Sequence, residues 1–141
     1  VPEEPYECDY TCDIKHEGTD VTIVAYSAMV KEALKAAEEL EKEGISAEVV
    51  DLRSIRPFDA DTVIKSVNKT GRLVVVQEAN LCAGFGAEVA ATVQNACFKT
   101  LKAPIQRIGA PNVPVPFSPV LEKAYLPNSD KVIAAVKACL Q

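Results

Sequence analysis

Val21-Thr22-Ile23-Val24-Ala25, a helical stretch from Ala28 to Glu43, then Ala47-Glu48-Val49-Val50-Asp51: this run decides the fold. The first piece is a β-branched apolar stretch of strand length, as expected of a strand buried on both faces. In the middle piece Val30, Ala33, Leu34, Ala37 and Leu40 recur at helical spacing and form one apolar stripe, with Glu38 four residues before Lys42 as a supporting pair. Gly44 supplies the left-handed residue that closes such a helix, and Ala47–Asp51 reads as a second strand. Strand, helix and strand in this order define a layered α/β chain.

The same alternation extends outward. Pro57 and Asp59 announce a helix with Asp59 as its N-cap, Val63, Ile64 and Val67 inward, and Thr70-Gly71 at its end. Leu73–Val76 reads as a third strand, Ala87–Thr100 as a helix with Val89, Ala90, Val93 and Cys97 inward, and Ile105–Ile108 as a short strand after Pro104. Pro127-Asn128-Ser129 caps a last helix through Leu140, with Val132, Ile133, Val136 and Leu140 on its inner face. Apolar strands separated by helices predict a mainly parallel sheet covered on both faces, and right-handed crossovers make it a three-layer α/β/α sandwich. Thr11–Lys15 is a candidate edge strand. Residues 1–10, with their prolines and glutamates, read as a linker, and residues 11–141 as one domain. The chain opens on Val1 rather than Met, which reads as an excised or processed piece.

Composition bounds the function. With 48% apolar and 25% charged residues and no long apolar run, the chain reads as a globular domain with no membrane span and no secretory signal. Its net charge of −5 comes without the basic stripe that nucleic acid binding requires. Mild acidity suits a basic protein partner, and equally suits plain solubility. Five cysteines, an odd number, argue against a disulfide framework and for a reducing compartment.

Three segments are candidates for chemistry. Glu78-Ala79-Asn80-Leu81-Cys82-Ala83-Gly84-Phe85-Gly86-Ala87-Glu88 follows a strand and opens a helix, where glycines let backbone N–H groups face an anion. The third glycine of a dinucleotide fingerprint and the lysine of a phosphate loop are both missing, and a tight strand-to-helix turn explains Gly84 and Gly86 without a ligand. Cys8, Cys12 and His16 recur every four residues, but on a strand such residues lie about 13 Å apart. Zinc ligands converge to about 2.0–2.3 Å from one ion, so no metal is expected there. Asp51–Asp59 carries Arg53 and Arg56, whose guanidinium groups suit carboxylates of a neighbouring domain, or simply a solvated loop. No nucleophile elbow or paired-histidine helix is present, so no catalytic group is assigned.

Taken together, the segments resemble the transketolase C-terminal domain family, and within it the β subunits of pyruvate, branched-chain and acetoin dehydrogenases. The resemblance rests on Gly18-Thr19-Asp20-Val21-Thr22, Asp51–Pro57, Lys69-Thr70-Gly71-Arg72-Leu73, Glu78 with Gly84–Glu88, Ala103-Pro104, Val113-Pro114-Val115-Pro116-Phe117 and Leu126-Pro127. It implies a five-stranded mixed sheet whose antiparallel edge strand is the Thr11–Lys15 segment. It further implies that thiamine diphosphate and magnesium bind other parts of the parent enzyme, the α subunit and a separate N-terminal domain of the β subunit, with no cofactor held here. The partners it implies are the α subunit, a second β subunit and the dihydrolipoyl acyltransferase, with Lys102, Ala103, Pro104 and Gln141 as candidate docking residues. Many relatives are acidic where this chain has Lys102. The compartment implied is the bacterial cytoplasm or the mitochondrial matrix. Two other readings stay open: the C-terminal domain of a transketolase or deoxyxylulose phosphate synthase, and a free-standing flavodoxin-like nucleotide-binding domain.

The odd cysteine count and the extended spacing of Cys8, Cys12 and His16 give a first prediction. Mass spectrometry under denaturing, non-reducing conditions should find every cysteine alkylatable, and elemental analysis should find no stoichiometric zinc.

Overall fold

The computed structural model describes residues 3–5 and 9–141. Five strands form one sheet in the order β1-β3-β2-β4-β5, where β1 is Asp13–His16, β2 Val21–Ala25, β3 Ala47–Asp51, β4 Leu73–Asn80 and β5 Gln106–Ala110. Only β1 runs antiparallel, pairing with β3 through a register irregularity between Ile14 and His16; the other pairs are parallel. α1 (Met29–Lys42) and α5 (Ser129–Leu140) cover one face, and α2 (Ala60–Thr70) and α3 (Gly86–Cys97) cover the other.

Strand parity divides the core. Val21, Ile23, Ala25, Val49, Val74 and Val76 pack beneath α1 and α5, whereas Val24, Val50, Leu73 and Val75 pack beneath α2 and α3. The helix ends follow from their residues. Asp59 Oδ1 accepts from the Thr62 N–H at 3.2 Å, Asn128 Oδ1 from the Lys131 N–H at 3.1 Å, and Gly71 ends α2 with φ +75°.

Several expectations need correction. β4 runs on to Asn80, beyond Val76, because β5 continues the ladder to the Asn80–Ala110 pair; Glu78 therefore lies in the strand and not in the following turn. α3 stops at Cys97 rather than Thr100, β5 begins at Gln106 rather than Ile105, and β1 begins at Asp13 rather than Thr11. Lys42 pairs with Glu39 at 2.6 Å rather than with Glu38, since i,i+3 and i,i+4 neighbours are both within reach on a helix. A short helix, α4 (Pro119–Tyr125), was not expected in the proline-spaced segment; it starts with proline in its first turn, where no backbone N–H is needed. In α5 the buried residues are Val132, Val136 and Cys139, with Ile133 and Leu140 half-buried; Leu34 in α1, Ile64 in α2 and Ala90 in α3 are likewise half-buried. The linker reading of residues 1–10 falls partly outside the described residues.

One buried polar cluster ties α2 to the sheet. Glu48, fully buried on β3, forms an ion pair with Lys69 of α2, and its Oε2 accepts from the Gly18 N–H at 3.3 Å. A side chain at Gly18 would collide with the Ala47–Glu48 backbone, its Cβ lying 2.2 Å from the Glu48 nitrogen. Nearby, the Thr22 hydroxyl bonds those of Ser66 (2.7 Å) and Thr70 (2.8 Å). Burial pushes the Glu48 carboxyl up, but the Lys69 ammonium, the Ser66 hydroxyl and the Gly18 N–H outweigh it and hold the carboxyl below the usual glutamate range.

A lowered folded-state pKa stabilises the fold above the unfolded carboxyl value of about 4.3, and the contribution fades as pH falls through the lower folded value. Lys69→Met should therefore cost about 1–3 kcal/mol near neutral pH, by leaving a buried carboxylate unpaired. Urea titrations should show the gap to the unmodified chain closing as pH falls below the usual glutamate range; a gap that does not change with pH would place its origin elsewhere.

Candidate functional site

The candidate residues fall on opposite edges of the sheet. Arg53, Arg56, Glu78, Gly84, Phe85 and Gly86 lie at or near the carboxyl edge, where the parallel strands β2, β3 and β4 lead into α1, α2 and α3. Lys102, Ala103 and Pro104 precede β5, and Gln141 follows α5, so these four lie toward the amino edge.

At the carboxyl edge the organising residue is Gln77, which is 1% exposed. Its Nε2 donates to the carbonyls of Asn80 (2.7 Å) and Ala79 (3.3 Å), and its Oε1 accepts the Gly86 N–H at 2.7 Å. The glycines are there for this side chain: a Cβ on Gly84 would lie 1.9 Å from Gln77 Nε2 and 2.4 Å from the Asn80 oxygen, and one on Gly86 2.6 Å from Gln77 Oε1. The first N–H of α3, which an anion would need, is thus already taken. Sequence reading missed Gln77. Its signal is parity, since it falls two residues after Val75 and four after Leu73, on the α2/α3 side of β4.

Aromatic rings fill the space beside this turn. Phe85 packs edge-on against Phe58 with ring centroids 5.5 Å apart, and against Tyr26 at 6.4 Å. Burial, and then the Glu78 carboxylate, push the Tyr26 phenol up. A cleft of about 820 Å³ opens between Ile55–Phe58 and Ala83–Glu88, with Arg56 on its wall. Glu78 lines a separate cleft of about 450 Å³ with Lys31, Lys123 and Leu126. Arg53 does not face either cleft; its guanidinium bonds this chain's own Asp13 (2.9 Å) and Asp9 (3.3 Å). The structure therefore brings Arg56 together with Gly84 and Phe85, and leaves Arg53 and Glu78 outside that group.

At the amino edge, the Lys102 N–H bonds the Gly71 carbonyl at 2.8 Å and its stem lies along Gly71. The Cys139 thiol lies 3.9 Å from the Pro104 carbonyl, which joins this loop to the end of α5. Lys102, Ala103 and Pro104 are thus next to the C-terminal turn that leads to Gln141.

The cysteine–histidine repeat does not converge. Cys12 Sγ lies 3.5 Å from the Asp59 carbonyl and His16 Nδ1 2.8 Å from that of Ala47, while Cys8 falls outside the described residues. Burial, then the Asp59 carboxylate, push the Cys12 thiol up to about 12, far from the reactive range. Among the described residues no group of His, Cys, Asp and Glu is placed to hold a metal ion, and no helix is long and apolar enough to cross a membrane.

A five-stranded mixed sheet between two helical layers, with one antiparallel edge strand, defines a three-layer α/β/α domain. The chain belongs to the transketolase C-terminal domain family, whose model matches residues 11–132. It is 50% identical over its whole length to the pyruvate dehydrogenase E1 component subunit beta of Staphylococcus epidermidis and to that of Bacillus subtilis, and 48% identical to that of Staphylococcus aureus. It spans 43% of the length of each of these relatives. Among solved structures, a split-gene transketolase in an inactive β4 tetramer matches 99% of this chain and 44% of its own, with a TM-score of 0.77 and 33% identity. A 2-oxoglutarate:ferredoxin oxidoreductase from Magnetococcus marinus shares the fold alone, with a TM-score of 0.60 at 9% identity.

Gly84→Ala tests the role of Gln77. Overpacking against the glutamine amide and the Asn80 carbonyl should cost about 1–3 kcal/mol, lowering Tm by roughly 3–4 °C per kcal/mol. Hydrogen exchange should quicken first in residues 80–86; unchanged stability would show that the turn has room the structure does not display.

Proposed function

We propose that this chain is the C-terminal assembly and docking domain of the β subunit of a pyruvate-type 2-oxo acid dehydrogenase, with no catalytic group of its own. The observation that carries this reading is the 50% identity, across the full chain, to pyruvate dehydrogenase E1 β subunits that are more than twice as long. In the parent enzyme, on this reading, a 2-oxo acid is oxidatively decarboxylated and the acyl group passes to lipoyl groups of a dihydrolipoyl acyltransferase. The α subunit and a second β subunit are the other partners, and the bacterial relatives favour the bacterial cytoplasm over the mitochondrial matrix.

Thiamine diphosphate and magnesium belong to the parent enzyme on the same reading, and the residues present here do not fit them. The Gly86 N–H that could meet a diphosphate is bonded to Gln77, and the described carboxylates do not converge on a metal position. This also weighs against a free-standing nucleotide-binding domain. The 33% identity to a transketolase supports that alternative less than 50% identity supports a dehydrogenase β subunit.

Arg56 and the 820 Å³ cleft at the carboxyl edge suit contact with other parts of the enzyme, and the Lys102–Pro104 loop at the amino edge suits the acyltransferase. The test uses the full-length β subunit assembled with its α partner. Pro104→Trp, a bulky change on an exposed loop residue, should weaken acyltransferase binding at least about 10-fold by obstructing a packed contact. Decarboxylation read with an artificial electron acceptor should persist. Unchanged acyltransferase affinity would confine the domain's role to subunit assembly.

A further inference from the structure

Exposed apolar side chains gather in one segment of this domain. Val113, Val115, Phe117, Val120 and Leu121 all face solvent, Phe117 fully so. Single exposed apolar residues are ordinary on a monomer, but five within residues 113–121 form a patch of the kind that meets another surface. Charge does not interrupt it. Residues 108–121 hold no Asp, Glu, Lys, Arg or His, the longest such run in the sequence. The cores of protein interfaces are depleted of charge in the same way. Pro111, Pro114, Pro116 and Pro119 fix φ along the segment, so it has little freedom to lose on contact.

The segment belongs to the carboxyl edge. It begins after β5, where Asn112 Oδ1 accepts the Cys82 N–H at 3.3 Å, and runs into α4, where the Tyr125 hydroxyl donates to Asn80 Oδ1 at 2.7 Å. The chain enters the fold at the same edge. Because β1 is antiparallel, its first residue Asp13 stands beside Asp51, the last of β3. There the Cys12 N–H bonds Asp59 Oδ2 at 2.9 Å, and Arg53 holds Asp9. From β1 to β5 the edge is about 19 Å wide, at about 4.8 Å per strand spacing.

We infer that the strip 113–121 is covered by the part of the same subunit that precedes this chain, through an uncharged, apolar face of that part. The inference rests on the β-subunit reading proposed above, on which more than half of the subunit lies outside this chain. A body of that size has a radius of gyration of roughly 15 Å or more, enough to reach across the edge from its attachment beside β1. Attachment in the same chain also gives it an effective concentration on the order of millimolar, which separate partners do not have. The residues set against Val113, Val115 and Phe117 are then apolar, since a charge placed there would be buried without a counter-charge.

The experiment uses the full-length β subunit, alone and assembled with its α partner, carrying photoreactive benzoylphenylalanine in place of Phe117. Samples are built from equal parts of isotope-labelled and unlabelled β subunit, and crosslinked peptides are identified by mass spectrometry. Crosslinks should join this position to residues that precede the chain, with both peptides of one isotope, in β alone as in the assembly. Pairs of mixed isotope would assign the strip to a second copy, and pairs with α peptides to the α subunit; either overturns the inference. Phe117→Asp gives an independent measure, because a fully exposed side chain takes no part in this domain's own packing. In full-length β it should quicken proteolytic cleavage between the two parts about 10-fold or more, since cleavage follows the opened population. Phe98→Asp, an exposed position on the amino edge, should leave that rate within about two-fold. No crosslink, with cleavage unchanged by Phe117→Asp, would show the strip open to solvent and overturn the inference. The β-subunit reading fails separately, if β does not assemble with an α partner, and the crosslinks of β alone still decide what covers the strip.

Discussion

Both faces of the central strands are sealed, and the rest of the architecture answers to that constraint. Val21 through Ala25 are all buried, as are Leu73 through Gln77. A parallel sheet in this state needs a helical layer on each side, because any uncovered face would leave valine and isoleucine in water. Polar residues on the inward faces each find a partner, although Glu48 Oε1 itself is left without one. Thr22, Ser66 and Thr70 satisfy one another, Glu48 takes Lys69, and Gln77 closes onto its own turn. Whatever the domain presents to other molecules is therefore confined to the two edges and the outer faces of the helices.

The two edges are built differently. At the carboxyl edge the turn after β4 is closed by Gln77, and Tyr125 anchors α4 there through a 2.7 Å hydrogen bond to Asn80 Oδ1. The position where many α/β proteins receive a phosphate is filled by a side chain of the protein itself. At the amino edge the loops carry cations on long stems, with the Lys102 stem lying on Gly71. A glycine there leaves room for that stem as well as permitting the left-handed turn.

How much of this is legible in sequence depends on the range of the interaction. The alternation of strands and helices, the Asp59 and Asn128 caps and the left-handed Gly44 and Gly71 are local, and local signals read correctly. α4 escaped because prolines at 111, 114, 116 and 119 obscure any apolar period. The last residues of β4 escaped because Gln77, Glu78 and Asn80 look like the start of a loop, and only pairing with β5 shows that they are strand. The choice of Glu39 over Glu38 by Lys42 turns on side-chain rotamers that spacing does not determine. Lys102 stands out in the sequence, but its environment depends on Gly71, about thirty residues earlier in the chain.

Backbone strain sharpens the contrast between the edges. Ser27 (φ 57°), Arg53 (φ 53°) and Ala83 (φ 56°) occupy the left-handed region without being glycine, one in each of the turns that lead from β2, β3 and β4 into α1, α2 and α3. Such a residue costs roughly 1–2 kcal/mol and persists only where its surroundings hold it. The surroundings do so here: the Ser27 carbonyl accepts the Val30 N–H, the Arg53 N–H bonds Asp51 Oδ1, and Ala83 sits within the turn that Gln77 closes. Helix-to-strand turns at the amino edge use Gly44 and Gly71 for the same conformation, at little cost. Strain retained on one edge and relieved on the other means that the carboxyl edge is held in fixed geometry by short-range bonds.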